Sequence, residues 1–470
     1  MKWRSSLVLL FLCVFSLRCI ESLFPYDHSD ALYYHLAGAK IWFFTSFHEL
    51  ITNLTSYAQA GIFDYAYTLL FFFKLSLVKT QSLAQFMHFF FSIGLASLFC
   101  FMTAQKKIWG ALAALAMLTI AKDGSYFLFA KNDGVLALVG LLAAYSVIEK
   151  KSWKLVAFLL GILPLIKLSG LYVVVPVSLL YIYINRKPID IVRVALISGT
   201  MLSLALLKNY AISGNPFFPG MSAHFPGIMT PSMIDYNNGF FGRGVTLATL
   251  IGLLSDLFLG KVILLFSIPV FYLNWKKKNF KSNWYFLIAV SIFSIYLVTN
   301  GGYQAARFFF SCHFLLIFFL LQSLKDIELK GRWAILVLAL VLSDGKIDKS
   351  IKRAWYAVRD YQTLSDAEIV AKDIEHTYFW SALPIAQTKT YIISDYIAET
   401  YYLPEQYILH IPDHSTQADF LYHCEGGRLD ELKAYHYAII SKRLPNPCYE
   451  KIRQGKLLLK KDGFELYDLL

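Results

Sequence analysis

Ile62-Phe63-Asp64-Tyr65-Ala66-Tyr67-Thr68-Leu69-Leu70-Phe71-Phe72-Phe73-Lys74 is apolar enough to be counted as a membrane crossing and interrupted enough to be left out. Its reading decides which way the whole chain is threaded. The chain has 470 residues, 57% hydrophobic and 16% charged, where soluble domains carry about 25% charged residues. Apolar runs recur at 5–20, 62–78, 82–103, 108–121, 133–148, 153–166, 168–184, 191–207, 245–259, 261–274, 284–298, 307–324 and 332–343. This is the pattern of a polytopic membrane protein. Several runs fall short of the roughly 20 residues that a perpendicular crossing needs, so the basic clusters must decide which of them cross.

If every run crosses from a cytoplasmic N-terminus, Lys106-Lys107, Lys150-Lys151-Lys154 and Arg186-Lys187 all land outside. That opposes the excess of Lys and Arg expected in cytoplasmic loops. If the run 62–78, broken by Asp64, Tyr65, Tyr67 and Lys74, instead lies flat in the interface, all three clusters move inside. The same treatment of 245–259, broken by Asp256 and followed by Gly260-Lys261, brings Lys276-Lys277-Lys278-Lys281 inside, and Lys325, Lys330 and Arg332 follow. The expected fold class is therefore an all-α polytopic membrane protein of about eleven spans plus interfacial helices, with a cytoplasmic N-terminus. The external loops collect Asp27, Asp30, Asp64, Asp123, Asp133, Asp235 and Asp256.

From Ser343 the composition turns polar. Short runs such as Thr390-Tyr391-Ile392-Ile393 and Ala438-Ile439-Ile440-Ser441 read as strands, alternating with helical stretches such as Ser365 to Glu375. The expected organisation is a membrane domain over 1–343, with long external loops at 21–81 and 208–244, and a small extracytoplasmic α/β domain over 344–470. The net charge of +12 sits in clusters between apolar runs, which excludes a nucleic-acid partner. Of six cysteines only Cys424 and Cys448 lie in the tail, where an oxidising compartment would allow a disulfide. Ser5 to Ile20 lacks an A-x-A-like cleavage site and is kept as a membrane helix. Asn53-Leu54-Thr55 is a formal glycosylation sequon.

The chemistry concentrates in Phe24-Pro25-Tyr26-Asp27-His28-Ser29-Asp30-Ala31-Leu32-Tyr33-Tyr34-His35-Leu36. Two carboxylates, two imidazoles and three phenols crowd a membrane surface, where charge is costly and is kept for function. A helix capped by Asp27 or Ser29 would set Asp27, Asp30 and Tyr34 on one face, at successive spacings of three and four. Carboxylates near a helix N-terminus are held ionised, which suits a base or a metal ligand. Capping explains one acid, whereas here two stand beside His28 and His35. Asp133 heads a span on the outer side, as N-cap or as second functional acid. Lys208, Arg243 and Arg307 mark outer loops; interfacial anchoring is the common fate of such cations, and phosphate recognition the functional one.

The loop Asp30-Ala31-Leu32-Tyr33-Tyr34-His35-Leu36, the acid of Lys131-Asn132-Asp133, the loop Lys208-Asn209-Tyr210 with Gly214-Asn215-Pro216-Phe217-Phe218-Pro219, and Arg307 together resemble bacterial GT-C glycosyltransferases. The pattern is similar to protein O-mannosyltransferases and lipid A aminoarabinose transferases. It covers roughly residues 1–345, and the tail matches only in position. The resemblance implies a multi-pass protein of the bacterial inner membrane that moves a sugar from a polyprenyl-phosphate donor to an outer hydroxyl of a glycan, lipid or protein acceptor. It makes Asp30 the candidate base, with Asp27 as the alternative, and gives Asp133 the role of orienting the acceptor. Asp27 and Asp133 would hold a divalent ion, Mg or Mn, if one takes part. Tyr34 and His35 would line the substrate, and Lys208, Arg243 and Arg307 would neutralise the departing phosphate. The relatives often carry adjacent acids in the first loop, where this chain spaces Asp27 and Asp30 by two residues. A flippase of lipid-linked glycans or a noncatalytic envelope subunit is the rival; a flippase predicts ionisable residues midway along several spans, and few are present.

Overall fold

Helices apolar on every side have no solvent face and must be enclosed. The computed structural model describes residues 2–24, 35–44, 61–119, 131–218, 221, 224–225, 227, 245–255, 257, 262–278, 280–300, 309–325, 331–342, 347–366, 368–369, 390–394, 407–410, 437–441, 452–461 and 464–469. Its helices run in the order α1 Lys2–Ser22, α2 Ala37–Phe44, α3 Ile62–Ala66, α4 Thr68–Phe71, α5 Leu77–Phe89, α6 Leu95–Thr103, α7 Lys107–Leu118, α8 Asp133–Ile148 and α9 Trp153–Ile166. Then come α10 Leu171–Ile184, α11 Pro188–Ser213, α12 Leu247–Leu254, α13 Ser267–Lys276, α14 Phe280–Asn300, α15 Phe310–Leu324, α16 Gly331–Leu342 and α17 Ile347–Thr363. A π-helical turn, Phe90–Gly94, joins α5 to α6.

Each apolar run contains a helix. Among the described residues, Ser5–Ser22, Leu77–Thr103, Pro188–Ser213 and Phe280–Thr299 are long and apolar enough to cross a membrane. The stretch 62–78 does not hold one helix: α3 has five residues, α4 has four, and Lys74 takes a left-handed backbone (φ 51°) before α5 begins.

The chain folds as two compact units. The first comprises Met1–Phe24, Gln85–Ala205 and Phe241–Asp360, and the second Pro25–Ala84, Leu206–Phe240 and Tyr361–Leu470. Most of both long loops thus falls in the same unit as the tail.

In the first unit α7 is buried from Ile108 to Leu118, and α15 from Phe310 to Leu321. Helix α8 packs on α9, α10 and α15, while α15 also packs on α14 and α7. Gly140 of α8 admits Val173 of α10, whose Cγ1 lies 3.1 Å from where a glycine Cβ would stand. At one end of this unit Lys281 Nζ donates to Glu149 Oε2 (2.7 Å), Arg193 lies over the Trp153 ring (5.3 Å) and Asn274 Nδ2 donates to Ser323 Oγ (2.7 Å). The basic clusters around 150, 186–193 and 276–281 therefore share that end.

In the second unit α2 packs on α3 and α4, with Trp42 edge-on to Tyr65 (4.8 Å) and Phe43 stacked on Phe71 (5.7 Å). The tail forms a five-stranded sheet from β1 Thr390–Ser394, β2 Tyr407–His410, β3 Tyr437–Ser441, β4 Lys456–Lys461 and β5 Phe464–Asp468. Their order is β2-β1-β3-β5-β4; β1 runs parallel to β2 and β3, and β5 is antiparallel to β3 and β4. The two strands expected from sequence are β1 and β3. Cys424, Cys448, Asn53 and most of the helical stretch expected over Ser365 to Glu375 lie outside the described residues.

Candidate active site

Asp133 opens α8 on a short ledge of polar residues, Lys131-Asn132-Asp133, all buried. Asn132 is the N-cap, and its Nδ2 donates to the Ile166 carbonyl at 3.0 Å. This pins the end of α9 beside the start of α8. The next residue, Lys167, is extended (φ −162°, ψ 140°) and donates its Nζ to Asp133 Oδ1 at 2.6 Å. Asn132 and Asp133 thus staple the last residue of α9 and the residue that follows it. The side chains of Asp133 and Lys167 are 7% and 19% exposed, so the pair is screened from bulk water. Asp133, Ser169, Tyr172 and Ser311 contribute to a cavity of about 10 Å³, room for about one water.

The ledge rests on the π-helical turn. A Cβ on Gly134 would stand 2.7 Å from Ser92 Cβ and 3.2 Å from His88 Nε2. His88 and Ser92 are both buried. A π-turn inside an α-helix costs stability and is commonly kept at functional sites.

A second cluster lies in the other unit. His35 Nδ1 donates to Asp64 Oδ1 at 2.6 Å, and the Gly61 backbone N–H donates to Asp64 Oδ2 at 2.7 Å. Both carboxylate oxygens are engaged, and the His35 and Asp64 side chains are each 1% exposed. Asp64 lies within electrostatic reach of Lys208, a half-buried residue near the end of α11. Burial, reinforced by the Asp64 charge, pushes the Tyr65 and Tyr67 phenols well above their ordinary value, so both remain hydrogen-bond donors. The buried Tyr65 hydroxyl meets no acceptor among the described residues. Beyond Lys208, Gly214 ends α11 with a left-handed backbone (φ 68°), and Asn215 Oδ1 accepts from Phe217 N at 2.8 Å. The Gly-Asn-Pro turn is thus built as its sequence implies.

Of the residues singled out from sequence, Asp133, His35 and Lys208 are described; Asp27, Asp30, Tyr34, Arg243 and Arg307 lie outside the described residues. Three partners escaped sequence reasoning. Lys167 stands alone between two proline-containing apolar helices, and that isolation in an apolar setting was its signal. Asp64 was read as an interfacial interruption, and His88 sits unremarked within an apolar run. No cluster of three His, Cys, Asp or Glu side chains fit for a metal occurs among the described residues. Asp133 accepts from the Lys167 ammonium at 2.6 Å, and Asp27, the other residue expected to hold a divalent ion, lies outside the described residues.

No family model matches the chain, and no curated protein matches it. Solved structures do. The structure of ArnT from Cupriavidus metallidurans in the apo state superposes with a TM-score of 0.62 at 13% identity, covering 99% of this chain and 98% of that one. ArnT from the same organism bound to undecaprenyl phosphate superposes with a TM-score of 0.59 at 12% identity, covering 100% and 98%. At such identity the likeness speaks to architecture, and it does so over essentially the whole chain: this is a polytopic membrane protein with the fold of those ArnT structures.

Proposed function

We propose that the protein is a glycosyltransferase that moves a sugar from a polyprenyl-phosphate donor to an acceptor hydroxyl on the outer side of the membrane. The observation that carries this reading is the end-to-end fold likeness to ArnT, one of whose structures holds undecaprenyl phosphate. In the proposed reaction the acceptor oxygen attacks the anomeric carbon as its proton passes to a carboxylate, for which Asp30 is the candidate. The anomeric carbon–oxygen bond to phosphate breaks, the lipid phosphate leaves with the electron pair, and in-line displacement inverts the configuration. A hydroxyl of high pKa needs such a base, and a phosphate leaving group needs cations.

Asp133, held by Lys167 at 2.6 Å, would orient the acceptor. Lys208, with Arg243 and Arg307, would receive the phosphate charge; Asp64 would supply Lys208 with a counter-ion and fix the His35 ring. No step is assigned to a metal.

The test is transfer of radiolabelled sugar from a panel of polyprenyl-phosphate donors by membranes holding matched amounts of wild type, Asp30→Asn and Asp133→Asn. A drop of about 100-fold or more in Asp30→Asn is the expected result for loss of a general base. Wild-type turnover retained in both variants would overturn the site assignment. A flippase would move the lipid-linked sugar across vesicles without transferring it.

A further inference from the structure

Helix α17 follows α16 after four residues, 343–346. It carries three stripes, each offset by one residue and so turned by about 100° from the last. Ser350, Ala354 and Ala357 form a small, buried stripe. Ile351, Trp355 and Val358 form an apolar stripe that is 55%, 66% and 43% exposed. Lys352, Tyr356 and Arg359 form a basic-aromatic stripe, with Lys349 beside it, and all four are exposed.

The small stripe is docked on the end of α1. Arg18 Nη1 donates to Ser350 Oγ at 2.6 Å and to Glu21 Oε2 at 2.7 Å, and Arg353 Nη1 donates to Glu21 Oε1 at 3.5 Å. Helix α1 is long and apolar enough to cross a membrane, and Arg18 and Glu21 stand in its last two turns. Helix α17 is therefore fixed where α1 passes from apolar to polar sequence. There the remaining stripes are complementary to the two layers of an interface. Ile351, Trp355 and Val358 left in water forgo the gain of burying a large apolar side chain. Tryptophan and tyrosine concentrate at headgroup depth, and basic residues on an amphipathic helix favour anionic lipid.

We propose that α17 lies in the plane of the membrane interface, with Ile351, Trp355 and Val358 sunk into the acyl-chain boundary and Lys349 and Lys352 on anionic phospholipid headgroups. Arg359 contributes less, because it pairs with Asp360 (2.7 Å) and lies over the Tyr356 ring (4.8 Å). The helix moors the chain at the point where it passes into the polar tail.

The test uses the full-length protein in phosphatidylcholine vesicles made with or without phosphatidylglycerol, and isolates Trp355 emission as the difference between wild type and Trp355→Phe. Bromine placed high on the acyl chains should quench that emission at least about twofold more than bromine near the chain ends or aqueous iodide. Quenching by iodide alone would put the stripe in water. Protection from every quencher would show that protein covers it, whether the tail, a second copy or another partner, and either result overturns the proposal. Lys349→Glu with Lys352→Glu should reduce the quenching only in vesicles containing phosphatidylglycerol. Equal loss in both vesicle types, or none in either, would overturn the headgroup assignment.

Discussion

Asp133 illustrates how a residue can be recognisable without its partner. Its place at the start of an apolar helix marks it in the sequence, but Lys167 is 34 positions away across another helix, and no periodicity announces the pairing. Because the pair is largely buried, its members are coupled. The cycle Asp133→Asn, Lys167→Met and the double variant should give a coupling energy of about 0.5–3 kcal/mol in thermal unfolding of the detergent-solubilised protein. Additive effects would mean that the two side chains do not share a bond. Gly134→Ala tests the ledge beneath them. The new Cβ, 2.7 Å from Ser92 Cβ, must displace the π-helical turn. An overpacking cost of about 1–3 kcal/mol is expected as a lowered unfolding temperature. Gly199→Ala, with nothing within 4 Å of the added Cβ, is the control, and it should hold or gain stability through better helix propensity.

At the scale of the element, the β4–β5 hairpin makes a pH prediction. Glu465, buried to 3% exposure, accepts from Lys460 Nζ (2.6 Å), Tyr467 Oη (3.0 Å) and Arg453 Nε (3.2 Å). Desolvation raises its pKa, but the three donors outweigh it and hold the carboxyl at about 2, below its ordinary 4.5. The group is depressed in the folded state, so its stabilisation is complete above pH 4.5 and is lost as the pH falls toward 2. Protection factors for hydrogen exchange at the β3–β5 amides should fall across that window. In Glu465→Gln the pH dependence should flatten, with a loss of about 1–2 kcal/mol near neutrality; an unchanged profile would remove Glu465 from the account. These two strands were not legible. Lys456-Leu457-Leu458-Leu459-Lys460-Lys461 has no alternation, and its strand state comes from pairing with Phe464–Asp468. Most of the helices were legible because each carries a continuous apolar run. The interruption of 62–78 was legible too, from Asp64, Tyr65, Tyr67 and Lys74. What Asp64 does there was not, since His35 lies 29 residues earlier.

At the scale of the whole molecule, the question is which end of the first unit faces the cytoplasm. Glu149, which follows the last residue of α8, meets Lys281, and Arg193 lies over Trp153, so the basic clusters share one end. Asp133 opens the same helix, whose 16 residues put it about 24 Å from that basic end. If the excess of Lys and Arg marks the cytoplasmic side, the Asp133–Lys167 pair must face outward. That is the side on which a polyprenyl-phosphate donor would be consumed. Lys187 and Lys277 are exposed at the basic end. In intact cells a membrane-impermeant maleimide should therefore leave Lys187→Cys and Lys277→Cys at the wild-type background, and should label both only after the cells are opened. Labelling of Lys277→Cys in intact cells would invert the molecule. It would also place Asp133 in the cytoplasm, beside soluble activated sugars, and the reading of the donor as a lipid phosphate presented from outside would fall with it.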